Sequence, residues 1–229
     1  ERGSKMKKII NYILLLVVTP LVVLFGAIVF KDKQYAFITI AVAVIACIPF
    51  FLSFEKKKDN TKEMVVLAIM TALATVGRML FAPIPGFKPV TAIVVLTAIY
   101  FGGEIGFLTG ALSAVISNFY FGQGPWTPFQ MFVWGLIGLI AGMIANPLKK
   151  SKVLLIIYGI ISGVIFSLLM DVWTVLWWDG SFNFARYGAA IASAAWFTVE
   201  YAVSNVIFLL ALVIPLGPVI ERIKTKYGI

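Results

Sequence analysis

Four polar or ionisable side chains lie inside long apolar runs of this sequence: Arg78, Asn118, Asp171 and Glu200. Leaving an ionised group at the centre of a bilayer costs at least about 2.5–3.5 kcal/mol, so such groups pair, turn into a bundle or hold a ligand. Spacing argues for inward orientation. Gly159, Gly163, Ser167 and Asp171 recur every four residues and so share one helix face, small enough for a second helix to approach. Trp196, Glu200 and Ser204 share a face in the same way. Asp171 and Glu200 are therefore expected to face the bundle interior. A fixed ion pair between Arg78 and an acid is an open structural alternative, and it is compatible with a ligand site.

Three connecting stretches place further ligand-type residues near these groups. Phe81–Pro89, stiffened by Pro83, Pro85 and Pro89, presents Lys88. Residues 121–130 combine Gly122, Gly124 and Trp126 with polar side chains, and residues 177–187 bring Trp177, Trp178, Asp179 and Arg186. Such loops can lid a pocket. All six tryptophans (Trp126, Trp134, Trp173, Trp177, Trp178 and Trp196) fall toward the same end of the expected bundle. Tryptophan ordinarily marks both interfaces, so the asymmetry points to an aromatic-lined cavity. The candidate ligand contacts are Arg78, Lys88, Asn118, Trp126, Trp134, Asp171, Trp178, Arg186 and Glu200.

Several chemistries are excluded. The chain has no histidine, which removes the commonest general base and metal ligand. No P-loop is present, and the one G-x-G, Gly122-Gln-Gly124, has no strand or helix context. No nucleophile set, metal site or bound cofactor is expected. The single cysteine, Cys47, lies in an apolar run and has no intrachain partner. An enzyme is not indicated, nor is a nucleic-acid binder, because the net charge of +9 sits at the ends of apolar runs.

The elements that must position these residues are membrane helices. Hydrophobic residues make up 61% of the 229 and charged residues 13%, and the mean hydropathy is +1.00. A soluble domain carries about 25% charge, so lipid is the solvent here. The apolar runs give eight candidate spans: 9–30, 35–54, 63–82, 88–101, 104–121, 128–147, 152–177 and 190–214, the fourth being short. Residues 1–5 precede Met6 and read as a cloning remnant. Residues 6–55 form an N-terminal two-helix hairpin, retained because the first run is too long for a signal sequence and has no cleavage site. Residues 56–229 form a six-helix body. With both termini cytoplasmic, the inner turns hold twelve Lys and Arg residues after the remnant, against five on the outer side (Lys31, Lys33, Arg78, Lys88 and Arg186). Small-residue pairs at Ala68/Ala72, Gly106/Gly110 and Gly138/Gly142 mark helix contacts. Arg78 is rotated roughly 120° from the Ala68/Ala72 face at about 100° per residue, which leaves the alanine face free for a partner.

The body, about 62–223, resembles the substrate-binding S-components of energy-coupling factor (ECF) vitamin importers of prokaryotes. The resemblance rests on Ala68-Ile-Met-Thr-Ala72, the proline-rich loop after it, Gly103-Glu-Ile-Gly-Phe-Leu-Thr-Gly-Ala111 and above all Asn118–Gln130, which looks most like cobalamin-type members. It implies an all-α six-helix membrane bundle in the cell membrane, preceded here by the extra hairpin. It further implies a vitamin held near the extracellular side under the 81–89 and 121–130 loops, with no cofactor. Ala68 and Ala72 would contact a transmembrane coupling protein driven by two ATPase subunits, and the whole S-component would topple to deliver its ligand. Cobalamin or a related corrinoid is the expected vitamin. The alternatives are a flavin, a pyridoxine-like ring, or α-ribazole or dimethylbenzimidazole. Other open readings are a proton-coupled secondary transporter using Asp171 and Glu200, a membrane enzyme, and an assembly subunit.

Overall fold

The computed structural model describes residues 44–45, 47–48, 51–52, 61–124 and 126–227. Most of the expected N-terminal hairpin, Pro20 included, and most of the linker after it lie outside the described residues. Of the hairpin's second span, Cys47 is buried and Phe51 packs against the core.

Among the described residues the regular structure is wholly helical: α1 (Thr61–Leu80), α2 (Val90–Phe101), α3 (Gly103–Phe121), α4 (Thr127–Met143), α5 (Ala145–Lys150), α6 (Lys152–Asp179) and α7 (Phe184–Tyr227). Of these, α1, α6 and α7 are long and apolar enough to cross a membrane. The short helix α2 runs from the loop end to the basic end through the middle of the bundle. Every residue from Val90 to Tyr100 is buried, and a helix apolar all round belongs inside a bundle. At 12 residues it is ~18 Å long, well under the ~30 Å apolar core of a bilayer. It forms the axis against which α1, α3, α4 and α7 pack. A single residue, Gly102 at φ 102°, joins it to α3, a conformation open to glycine and costly for side chains with a Cβ.

Backbones touch where glycines line both sides of a contact. A Cβ on Gly138 would meet the Gly106 carbonyl at 2.6 Å, one on Gly110 the Trp134 carbonyl at 2.6 Å, and one on Gly142 the Gly103 Cα at 2.2 Å. Thus α3 and α4 are zipped by glycines along their length, which in lipid substitutes van der Waals contact for a hydrophobic driving force. The second tight pair is α6 with α7. Gly159 packs against Val206, Gly163 against Ala202, and the Ser167 and Thr198 hydroxyls meet at 2.6 Å.

Three expected boundaries are corrected. The last span begins at Phe184, not 190, because Asn183 Oδ1 accepts from the Ala185 and Arg186 amides and caps the helix. It also continues through Pro215 and Pro218 to Tyr227, giving 44 residues, ~66 Å. Its tail is tied to the bundle: Lys224 Nζ donates to Tyr100 O, Lys62 Nζ to Tyr227 O at 2.5 Å, and Lys149 pairs with Glu221 at 3.3 Å. The fourth body span likewise stops at Met143, and α5 follows as a separate helix.

Candidate functional site

The bundle has two unlike ends. The loop end gathers residues 81–89, 122–124, 126 and 180–183; the basic end gathers the α2–α3 turn, α5 and the tail of α7. The candidate residues lie toward the loop end, in three groups.

The first group is a hydrogen-bonded network. Arg78, at the end of α1, reaches α3: Nη1 donates to Ser117 Oγ at 2.5 Å and Asn118 Oδ1 at 2.7 Å. The Asn118 amide donates onward to Thr127 Oγ1 at 2.9 Å and Gln130 Oε1 at 2.8 Å on α4, and Thr127 Oγ1 donates to Gln123 Oε1 at 3.0 Å. The guanidinium also lies over the Phe121 ring at 4.4 Å and the Trp134 ring at 5.0 Å. No carboxylate pairs with Arg78 among the described residues, so the ion-pair alternative fails: α1 presents the guanidinium to α3, not to the acids of α6 and α7. Two hydroxyl and amide acceptors and two ring faces stand in for a counter-ion.

The second group is the 81–89 loop and the cavity beneath it. Lys88 turns back on its own loop, its ammonium donating to the carbonyls of Phe81 and Ala82 and, at 2.5 Å, Ile84. Its pKa is lowered, first by burial and then by the charge of Arg78, with Glu200 opposing. Ser204 on α7 accepts from the Lys88 amide at 2.9 Å and donates to the Lys88 carbonyl at 3.1 Å. Phe81 and Phe87 pack on Phe208, with ring centres 5.0 and 4.8 Å apart. Gly86, at φ 65°, lies so close to Glu200 that a Cβ would fall 2.3 Å from its Oε2. Below the loop is a cavity of about 40 Å3 lined by Gly86, Lys88, Val90, Thr91, Trp134, Phe166, Tyr201 and Asn205. Trp134 stacks on Phe166, centres 5.2 Å apart and planes at 18°, and Phe166 meets Tyr201 edge-on.

The third group lies apart. Asp171, Trp178 and Arg186 line a separate cleft of about 460 Å3 between α6 and α7, with Arg186 paired to Asp179 at 3.2 Å. The tryptophans divide accordingly. Trp134 and Trp173 are buried, whereas Trp126, Trp177, Trp178 and Trp196 are substantially exposed. Of the candidate contacts Trp126, Trp134 and Trp178, Trp134 lines the central cavity and Trp178 the α6–α7 cleft. Trp196 leans outward and donates to Glu200 Oε1 at 2.9 Å, leaving Glu200 Oε2 buried without a partner.

Phe166, Tyr201 and Asn205 are cavity residues the sequence reading passed over. Tyr201 and Asn205 stand four apart on one face of α7, a signal that could have found them. Phe166 has none beyond its place beside Ser167. Gln123, Thr127 and Gln130 lie within or beside the quoted loop, but only the fold shows that they brace Asn118. On the far side of α1, Ala68 and Ala72 are exposed in an apolar groove of about 520 Å3 completed by Leu112 and Ile116 of α3, with the Thr71 and Thr75 hydroxyls buried there unpartnered.

A helical bundle with three helices long and apolar enough to cross a membrane, and polar groups converging at one end, is the architecture of an integral membrane protein. Residues 58–222 match the family model described as ECF-type riboflavin transporter, S component. The chain belongs to that family, a family of transporter substrate-binding components and not of enzymes. Curated relatives include a UPF0397 protein of Vibrio atlanticus (strain LGP32), 30% identical over 101 residues covering 41% of this chain and 56% of that protein. A UPF0397 protein of Aliivibrio fischeri (strain MJ11) is 30% identical over 89 residues, 37% of this chain and 48% of that protein. The chain thus spans about half the length of the curated relatives it matches. No solved structure matches it. These matches support the S-component resemblance and give no support to the cobalamin type in particular.

Proposed function

We propose that this chain captures a vitamin from outside the cell in the cavity beneath the 81–89 loop and hands it to an ECF module. The observation that carries the reading is the cavity itself: aromatic on one side, polar at Lys88, Thr91 and Asn205, and roofed by one loop. At about 40 Å3 it has room for one or two waters, whereas small-molecule sites run to about 300–1,000 Å3. A ligand is therefore admitted by swinging the 81–89 loop outward, which breaks the Ser204 clamp and parts Phe81 and Phe87 from Phe208.

Riboflavin is the first ligand of this reading. The matched family is the riboflavin type, and the stacked rings of Trp134 and Phe166 give a planar ring system an aromatic wall to pack against. A corrinoid is the second, favoured by the Asn118–Gln130 stretch and its amide-rich network, which suits a ligand bearing amides and a phosphate. In this reading the six body spans place the loop end outside and both termini inside, with residues 56–229 as the binding domain. The groove at Ala68 and Ala72 receives the transmembrane coupling protein, and two ATPase subunits drive the toppling of the bundle.

Calorimetric titration of the detergent-purified chain with riboflavin, cyanocobalamin, cobinamide and other vitamins tests this. Saturable one-to-one binding of riboflavin, weakened at least tenfold in Trp134→Ala, is the expected result. One-to-one binding of cyanocobalamin instead replaces the ligand and keeps the mechanism. A folded chain that binds no vitamin overturns the reading.

A further inference from the structure

We propose that the cleft between α6 and α7 at the loop end is a second binding site, specific for an organic ammonium ion with an apolar body. The α6–α7 contact advances in steps of four residues: Gly159 with Val206, Gly163 with Ala202, Ser167 with Thr198. The next step on that ladder brings Asp171 to the level of Ala194, and there the contact opens into the cleft of about 460 Å3. Its α7 wall is built of small residues, Ala189, Ala190, Ser193 and Ala194, which leave space where larger side chains would close it. None of its lining residues is shared with the central cavity.

Asp171 marks the floor. The residue is only 9% exposed, and its Oδ2 is buried without a hydrogen-bond partner. The other two charges of the cleft, Asp179 and Arg186, are committed to each other at 3.2 Å. An unspent carboxylate remains, in a cleft whose lining is otherwise mostly apolar and includes the rings of Trp178 and Phe197. A carboxylate with aromatic faces beside it is the chemistry that selects ammonium over anions and over neutral molecules of the same shape. A multivalent metal ion is a poor fit, because no group of three metal-ligating side chains occurs among the described residues. Asp171 lies eight residues before the end of α6, ~12 Å along the helix, so the ligand's charge is drawn below the rim while its apolar part lies along the alanine wall. The ammonium can come from a soluble amine or from an amine-headed lipid.

The test uses the full chain in detergent, titrated with hexyltrimethylammonium and hexylammonium, with hexanol as the uncharged probe of the same length. The expected result is saturable binding of the ammonium probes, at least tenfold tighter than hexanol, lost in Asp171→Asn and in Ala194→Leu, which fills the cleft from the opposite wall. Native mass spectrometry after exposure to phosphatidylethanolamine or phosphatidylglycerol separates the sources. Selective retention of phosphatidylethanolamine, lost in both variants, assigns the site to a lipid; amine binding without such retention assigns it to a soluble ligand. Equal binding of hexanol and hexylammonium, no binding of any ammonium probe or aminolipid, or binding unaltered in both variants overturns the proposal. The vitamin titration, repeated on Ala194→Leu, reports on the central cavity independently. Competition between hexyltrimethylammonium and the vitamin in the unaltered chain would merge the two sites and also overturn it.

Discussion

The basic end of the bundle is tied together, whereas the loop end holds groups that the protein does not use on itself. At the basic end Lys224 is bonded to Tyr100, Lys149 to Glu221 and Lys62 to Tyr227, and the glycine zipper of α3 and α4 closes with Gly142 against Gly103. At the loop end Asp171 and Glu200 each keep a buried oxygen without a partner, and Arg78 pairs with no carboxylate among the described residues. Orphaned buried polar atoms are costly and rare in native proteins. Those of Asp171 and Glu200 lie beside the α6–α7 cleft and the 81–89 loop, where a bound ligand would meet them. The same contrast runs across α1, whose one edge delivers Arg78 to Asn118 while another exposes Ala68 and Ala72 in an apolar groove.

That contrast can be broken most forcefully at the zipper. Gly142→Leu places carbon against the Gly103 backbone and is expected to cost ~3 kcal/mol or more, read as loss of the monodisperse species and a collapsed thermal transition. A near-neutral result would mean that the frame is not rigid. Next is Arg78→Ala, which strips Ser117 and Asn118 of their donor; about 2 kcal/mol of stability should be lost, with vitamin binding weakened as Asn118 and the 122–126 loop shift. Arg78→Lys should restore less than half of this, because an ammonium cannot reproduce the planar fork and its ring contacts; full rescue would reduce Arg78 to a point charge. Lys88→Met removes the donor from three loop carbonyls. Loosening the loop by about 1 kcal/mol should raise the vitamin association rate roughly fivefold in stopped-flow measurements, with little change in global unfolding. An unchanged rate would show that the loop does not gate the cavity. The smallest effect is expected for Lys149→Ala, a partly exposed pair at the basic end worth below about 1 kcal/mol by thermal unfolding. A larger loss would show the α7 tail to be a major clamp.

Much of this was legible in the residues. The four-residue recurrence from Gly159 to Asp171 identified the α6 face that meets α7, and Gly106/Gly110 and Gly138/Gly142 identified the α3–α4 contact. The proline loop at 81–89 is irregular as expected. Less legible were the limits of α7: Asn183 as cap and Gly180 at φ 68° as the preceding stop were both present as types, but a hydropathy run registers neither. The short apolar run at 88–101 is a helix as expected, but its burial in protein was not legible, because burial by protein and burial by lipid demand the same side chains.

By itself the sequence determined that the solvent is lipid, where helices contact, that polar groups gather at one end, and that no histidine chemistry is available. These follow from composition and from periodicities of a few residues, which the helix converts directly into faces. Only the tertiary structure decided that Arg78 bonds Asn118 instead of an acid, that Lys88 folds onto its own loop, that the central cavity is small, and that Asp171 belongs to a different cleft. Those outcomes depend on the rotation and spacing of helices far apart in the chain. Close glycine contacts set that spacing, and no local pattern contains it.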